Sequence, residues 1–139
     1  MDSSRSLYWI DETISLWKSD NVRIQAGISA EQISFYEKQL AFEFPSDFID
    51  MYLRVNGFED FEWEKNMFSL WSLDRILTEY HEGNTPDFIG FCDFLVNSHC
   101  IGFWKAKKGI FKSYDNAQPI ASSFAEAIGL INANSELIY

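Results

Sequence analysis

Cysteine, histidine and basic residues are all scarce in this chain, and each shortage removes a class of protein. Two cysteines, Cys92 and Cys100, stand among 139 residues. Both lie in apolar stretches, which suits small buried thiols better than the disulfide framework of a secreted domain. The two histidines, His81 and His99, add little. No Cys-x-x-Cys pair occurs, and no set of about four ligands has the spacing of a zinc site, so no metal is expected. Bases number 11 against 21 acids, for a net charge of -10. Phosphate backbones and anionic membrane surfaces both need a positive face, so neither nucleic acid nor membrane is an expected partner. A basic protein is the partner such a charge favours.

Long apolar runs are missing as well. None approaches the roughly 20 residues that span a bilayer. Leu7-Tyr8-Trp9-Ile10 is cut short at once by Asp11 and Glu12, so no signal peptide is read there and a cytoplasmic location is expected. The seven glycines are scattered and build no phosphate-binding loop. No Gly-x-Ser-x-Gly elbow occurs, and neither histidine has a neighbourhood that points to a serine or cysteine partner. Carboxylates abound, but nothing singles out an acid–base pair, and solvated acidic faces account for them. The chain is read as non-enzymatic, with no cofactor.

What is present is core material. Hydrophobic residues make up 47% of the chain and aromatic residues 17%, with 13 Phe, 6 Tyr and 5 Trp. A disordered chain lacks the apolar surface to offset its ordering entropy; this one has it. The length fits one domain, residues 1–139, since two halves would each be too small to hold a core easily.

Leu7, Ile10, Ile14 and Trp17 recur at helical spacing, and Asp20-Asn21 and Gly27 break that helix. Ser29 with Gln32 is a capping-box pattern, opening a helix whose stripe is Ile33, Tyr36 and Leu40. Pro45 suits the first position of a third helix, with Asp47 and Asp50 in its early turns. Phe48, Ile49, Tyr52 and Leu53 are its expected inward face, and Asn56-Gly57 its expected stop.

Beyond Gly57, Met67 to Trp71 reads as a short strand and Ser72 as the cap of a brief helix with Leu73, Ile76, Leu77 and Tyr80. A polar loop, His81 to Asp87, follows. Phe88 to Tyr114 is rich in aromatic and branched residues, the mark of strands. Cys100–Trp104 and Ile110–Tyr114 form an expected hairpin around Lys105, Lys107 and Lys108, a charged tip that discourages edge pairing. Ser123 with Glu126 repeats the capping-box pattern before a last helix with Phe124, Ile128 and Ile131. The expected fold is α+β: N-terminal helices, a mainly antiparallel sheet of about four to six strands, and a C-terminal helix packed on it.

The charge is unevenly placed. Glu31, Glu37, Glu43, Asp47, Asp50, Glu59, Asp60, Glu62 and Glu64 face only Lys38 and Arg54 between positions 31 and 64. Phe58 to Glu64 alternates aromatic and acidic residues. As a strand it would turn Phe61 and Trp63 to the core and Asp60, Glu62 and Glu64 outward. As a loop it would present a tryptophan ringed by carboxylates, the pattern of an interface anchor with a polar rim. Glu59, Asp60, Glu62, Trp63, Glu64 and, in a later strand, Asp93 are the candidate partner-binding residues.

The stretch from Gly27-Ile28-Ser29 through Gly57 resembles the signature of the SUKH superfamily, the cell-wall-assembly-regulator-like domains. The residues that carry it are Glu37, Leu40, Phe44-Pro45, Phe48, Tyr52-Leu53 and Asn56-Gly57. Ile89 to Ser98, with Asp93-Phe94-Leu95, and the Ser123-Phe124 helix also look similar, so nearly the whole chain is covered. One departure, Glu43-Phe44 where Leu is frequent, looks harmless. The resemblance implies an α+β domain without enzymatic activity. In bacteria many such domains are immunity proteins that neutralise a toxin, often a nuclease; in fungi the fold serves regulatory scaffolds. The leading expectation is an immunity protein, monomeric or weakly dimeric, that binds a basic toxin domain through an acidic surface. The alternative is a cytoplasmic regulatory module with no toxin partner, and a third is an unrecognised hydrolase or ligand-binding domain.

Overall fold

Ser29 begins the best-defined helix. Its hydroxyl accepts the Gln32 amide at 3.1 Å, and the Gln32 side chain accepts the Ser29 amide at 3.0 Å. Two orphan donors of the first turn are thereby satisfied reciprocally, as the sequence pattern predicts. The structure is a computed structural model that describes residues 3–59, 62–94 and 99–139, with side chains from Tyr8 onward. In chain order it runs α1 (Ser3–Ser19), β1 (Ile24–Ala26), α2 (Ala30–Leu40), α3 (Ser46–Tyr52), β2 (Val55–Phe58), β3 (Phe68–Leu70), α4 (Leu73–Glu82), β4 (Phe88–Phe94), β5 (His99–Trp104), β6 (Phe111–Lys112) and α5 (Phe124–Asn132), then a 3₁₀ turn, Glu136–Ile138. Among the described residues the strands form two antiparallel sheets, β1-β2 and β3-β4-β5-β6. The fold is α+β, with α5 laid on the larger sheet.

A single cluster of buried side chains runs from Ile10 in α1 to Ile138. Phe48 is its hub: it stacks on Phe44 at 4.1 Å and Tyr52 at 4.2 Å, and meets Phe124 of α5 edge-on at 4.9 Å. Phe91 of β4 meets Phe124 at 5.0 Å, which seats α5 on the sheet. Trp17 ties α1 to α5 by donating its indole N–H to Asn132 at 3.0 Å.

The predicted hairpin forms, with Ile101 opposite Lys112 and Gly102 opposite Phe111. Four local expectations need correction. Pro45 is the N-cap of α3 rather than its first helical residue. The inward face of α3 is Phe48, Met51 and Tyr52, while Leu53 lies beyond the last turn and is exposed. Glu126 does not complete a box on Ser123: the Ser123 hydroxyl takes the Glu126 amide, but the Glu126 carboxylate reaches the Ser122 amide at 2.7 Å.

The fourth concerns Asn56-Gly57, which does not stop α3 but sits inside β2. Asn56 caps α4 instead, accepting the Leu73 amide at 2.9 Å. Gly57 has φ +74°, and a Cβ there would lie 2.5 Å from the Trp71 carbonyl. Only glycine lets β2 pass that backbone in that conformation. The strand β1 was not foreseen. Three residues long, it pairs with β2 across an irregular register, Ile24 with Phe58 and Ala26 with Val55. Leu7, Phe61 and Leu95–Ser98 lie outside the described side chains.

Candidate protein-binding surface

The aromatic–acidic segment is neither the strand nor the open loop that its pattern allows. Strand β2 ends at Phe58, and in the described residues from Glu62 the chain runs without regular structure and turns at Lys65-Asn66 before β3. Glu59 is exposed, and its amide donates to the Arg23 carbonyl at 2.9 Å. Asp60 lies outside the described residues. Glu62 is half-buried and accepts both the amide and the guanidinium of Arg23 at 3.3 Å. Trp63 is half-buried as well, and its indole nitrogen is enclosed with no hydrogen-bond partner among the described residues.

Glu64 reverses the expectation most clearly. It is only 5% exposed, where an outward strand position was expected. Its carboxylate accepts the amides of Asn66 and Phe68, and its own amide donates to the Phe68 carbonyl at 2.8 Å. The carboxylate thus supplies acceptors that the turn into β3 lacks. Burial pushes its pKa up, partly offset by those two amides.

Asp93 is also inside. Fully buried on β4 opposite Cys100, it accepts the Trp71 indole N–H at 2.7 Å, and Arg75 approaches it to 3.7 Å. Arg75 lies over the Trp71 ring at 4.7 Å from its centroid. This carboxylate fastens α4 to the sheet and offers nothing to a partner in this state. Burial pushes the neighbouring Cys100 thiol up to about 11 and Cys92 well above its ordinary value, which disfavours the thiolate. Among the described residues, no three His, Cys, Asp or Glu side chains are grouped so as to hold a metal ion. No described helix is long and apolar enough to cross a membrane.

The six candidate residues therefore do not make one surface. Glu59 and Glu62 both bond Arg23, just before β1, while Glu64 and Asp93 are buried in structural roles. Exposed acids occur elsewhere: Asp11 and Glu12 on α1, Glu31 on α2, Glu43 after it, Asp74 and Glu82 on α4. Acids outside positions 31–64 are thus exposed as well, on α1 and α4.

A concave feature was not foreseen. A groove of about 330 Å³ runs between the α2–α3 turn, the tip of the β5–β6 hairpin and the start of α5. Phe42, Phe103, Ile110 and Phe124 supply its apolar surface, and Glu43, Asp47, Lys107 and Lys108 its charge. Asp47 links α3 to α5 beside it, its two carboxylate oxygens accepting the amides of Phe48 at 2.9 Å and Ala125 at 2.8 Å. Both lysines were visible in the sequence as a hairpin tip, and Phe44-Pro45 as a helix start within the family signature. Nothing local signals that segments some sixty residues apart converge.

The model of the SMI1 / KNR4 family (SUKH-1) matches residues 27–129, well over half of the chain. The chain belongs to that family. The SUKH-1 match opens at Gly27 just before α2 and closes at Gly129 within α5, so it contains the groove and the whole larger sheet. Helix α1 and strand β1 stand before it. No curated protein matches the chain.

Proposed function

We propose that the chain is a non-enzymatic protein-binding domain, and that it acts in the cytoplasm as an immunity protein neutralising a toxin domain with a basic face. Membership of the SUKH-1 family carries this reading. The net charge of -10 supports it physically. A toxin that grips phosphates must present a positive cleft, and carboxylates of a partner can occupy that cleft in their place. Complementary fields raise the association rate, and half-buried aromatic anchors slow dissociation.

Exposed Glu59 and half-buried Glu62 and Trp63 are the described candidates in the aromatic–acidic segment that remain for such a face, and they support this reading. Two free thiols suit a reducing compartment. One continuous core from α1 to the C-terminal turn supports a single domain over 1–139.

Co-expression with the protein encoded beside this chain tests the reading. The expected result is a stable complex on size exclusion, and growth arrest of cells that express the neighbour alone. A neighbour that neither binds nor harms would remove the toxin role and leave the regulatory module with no toxin partner.

A further inference from the structure

The groove holds an arrangement that the acidic-surface reading does not use. Its lining is aromatic: Phe103 and Phe124 are buried, and the half-buried Phe42 lies 5.2 Å from Phe103 and 5.7 Å from Phe44. Its volume is at the lower end of the roughly 300–1,000 Å³ of ligand sites. The two walls carry opposite charge. Glu43 stands on the α2–α3 turn and Asp47 in the first turn of α3, with Lys107 and Lys108 on the hairpin tip.

Two of these four charges are already engaged. Asp47 is held by the amides of Phe48 and Ala125, and the Lys107 ammonium donates to the Asn116 carbonyl at 2.5 Å. Glu43 and Lys108 are different. Both are exposed, and among the described residues neither makes a hydrogen bond or ion pair. One free anion and one free cation thus stand on separate walls of an apolar slot.

We propose that this groove binds an extended segment of a partner protein in which an apolar side chain lies between a basic and an acidic residue. The apolar side chain covers Phe42 and Phe103, the base pairs with Glu43, and the acid pairs with Lys108. Charge complementarity selects this occupant. A uniformly basic segment would meet Lys107 and Lys108 with like charge, and a uniformly acidic one would meet Glu43 and Asp47. The two free charges belong to different loops, so an extended chain engages both while its side chain fills the slot between them. The inference rests on the protein-binding reading above, and it adds a contact of set polarity to a non-directional acidic field.

A phage-displayed library of random dodecapeptides, panned on the immobilised full chain, provides the test. Enriched peptides are then synthesised and titrated by fluorescence polarisation against the wild type and E43K/K108E. Both substituted side chains are exposed and without internal partners, so circular dichroism should show the fold unchanged. The expected peptides carry an apolar residue flanked by one base and one acid, and bind the double variant at least tenfold more weakly. Amide shifts on titration should centre on Phe42, Glu43 and Lys108–Ile110. The proposal falls if no such class is enriched, if affinity for E43K/K108E is unchanged, or if N-acetylphenylalaninamide alone binds as tightly as the peptides. Should the co-expressed neighbour still bind E43K/K108E with wild-type affinity, the groove proposal falls while the protein-binding reading stands. A neighbour that does not bind the wild type would remove the toxin role instead, and the groove proposal would then stand or fall on the peptides.

Discussion

The helical block from Ser29 to Tyr52 and the connection from Glu59 to Met67 are built from the same residue types and use them in opposite ways. In the block, Glu31 and Glu43 stand in solvent while Phe44, Phe48 and Tyr52 are buried. In the connection, Glu64 is buried, Trp63 is half-buried and Met67 is exposed. A helix satisfies its own backbone, so its side chains are free to sort by polarity on a 3.6-residue period. An irregular connection leaves amides unpaired, and a carboxylate is the strongest acceptor available to them. Glu62 takes the Arg23 amide, and Glu64 those of Asn66 and Phe68. Acidic residues in such a segment are structural before they are a binding face.

Substitutions can break this contrast, beginning in the block. Phe48→Ala empties the hub of the aromatic stack and should lower stability by about 3–5 kcal/mol in urea denaturation. In the connection, Glu64→Ala strands the Asn66 and Phe68 amides and should lose about 1–3 kcal/mol. Glu31→Ala, on the solvent face of α2, should stay within about 0.5 kcal/mol. If Glu64→Ala proves as harmless as Glu31→Ala, the structural role given to the buried carboxylate is wrong.

Ser29→Ala removes one arm of the capping box and should cost about 1 kcal/mol. Smaller still is the effect of Glu59→Lys with Glu62→Lys. The Arg23–Glu62 pair joins an exposed guanidinium to a half-buried carboxylate and contributes roughly 0–1 kcal/mol, so the thermal unfolding temperature should fall only slightly. Stopped-flow association with the basic partner should slow and lose its salt dependence; an unaltered on-rate would exclude this patch from the steering surface.

The last prediction concerns pH. Burial raises the Glu64 pKa, so ionisation penalises the folded chain more than the unfolded one. Wild-type stability from this group is fullest at low pH and declines as pH rises through the raised carboxyl pKa. Glu64→Gln keeps an acceptor oxygen without the charge. Its stability relative to wild type should therefore improve between about pH 4 and about pH 7, across the carboxylate range. A pH-independent difference in chemical denaturation would show that the carboxylate ionises as freely as in water.

Much of the helical frame was legible in the residues themselves. Ser29 with Gln32, Ser72 before Leu73, and Ser123 before Phe124 each mark a helix start that the structure confirms by a hydroxyl-to-amide hydrogen bond. These signals are local, since cap and first turn lie within four residues. The hairpin was legible for a similar reason, its two strands being joined by a short basic turn. Strand β1 was not, because three residues carry no periodicity and its partner lies some thirty residues away. The candidate site was read least well. Alternation from Phe58 to Glu64 implies a strand only if a neighbouring strand is there to pair with it, and beyond Phe58 the described residues supply none.

By itself the sequence determined the helix starts, the aromatic core, the acidic balance and the family, because each rests on near-neighbour spacing or on composition. Tertiary structure alone decided which acids are surface and which are scaffold, and why Gly57 passes Trp71. It alone brought Phe42 and Glu43 to face Lys108 and Ile110 across one groove. Those outcomes depend on contacts between residues far apart in the chain, where burial and the demand of unpaired amides outweigh any local pattern.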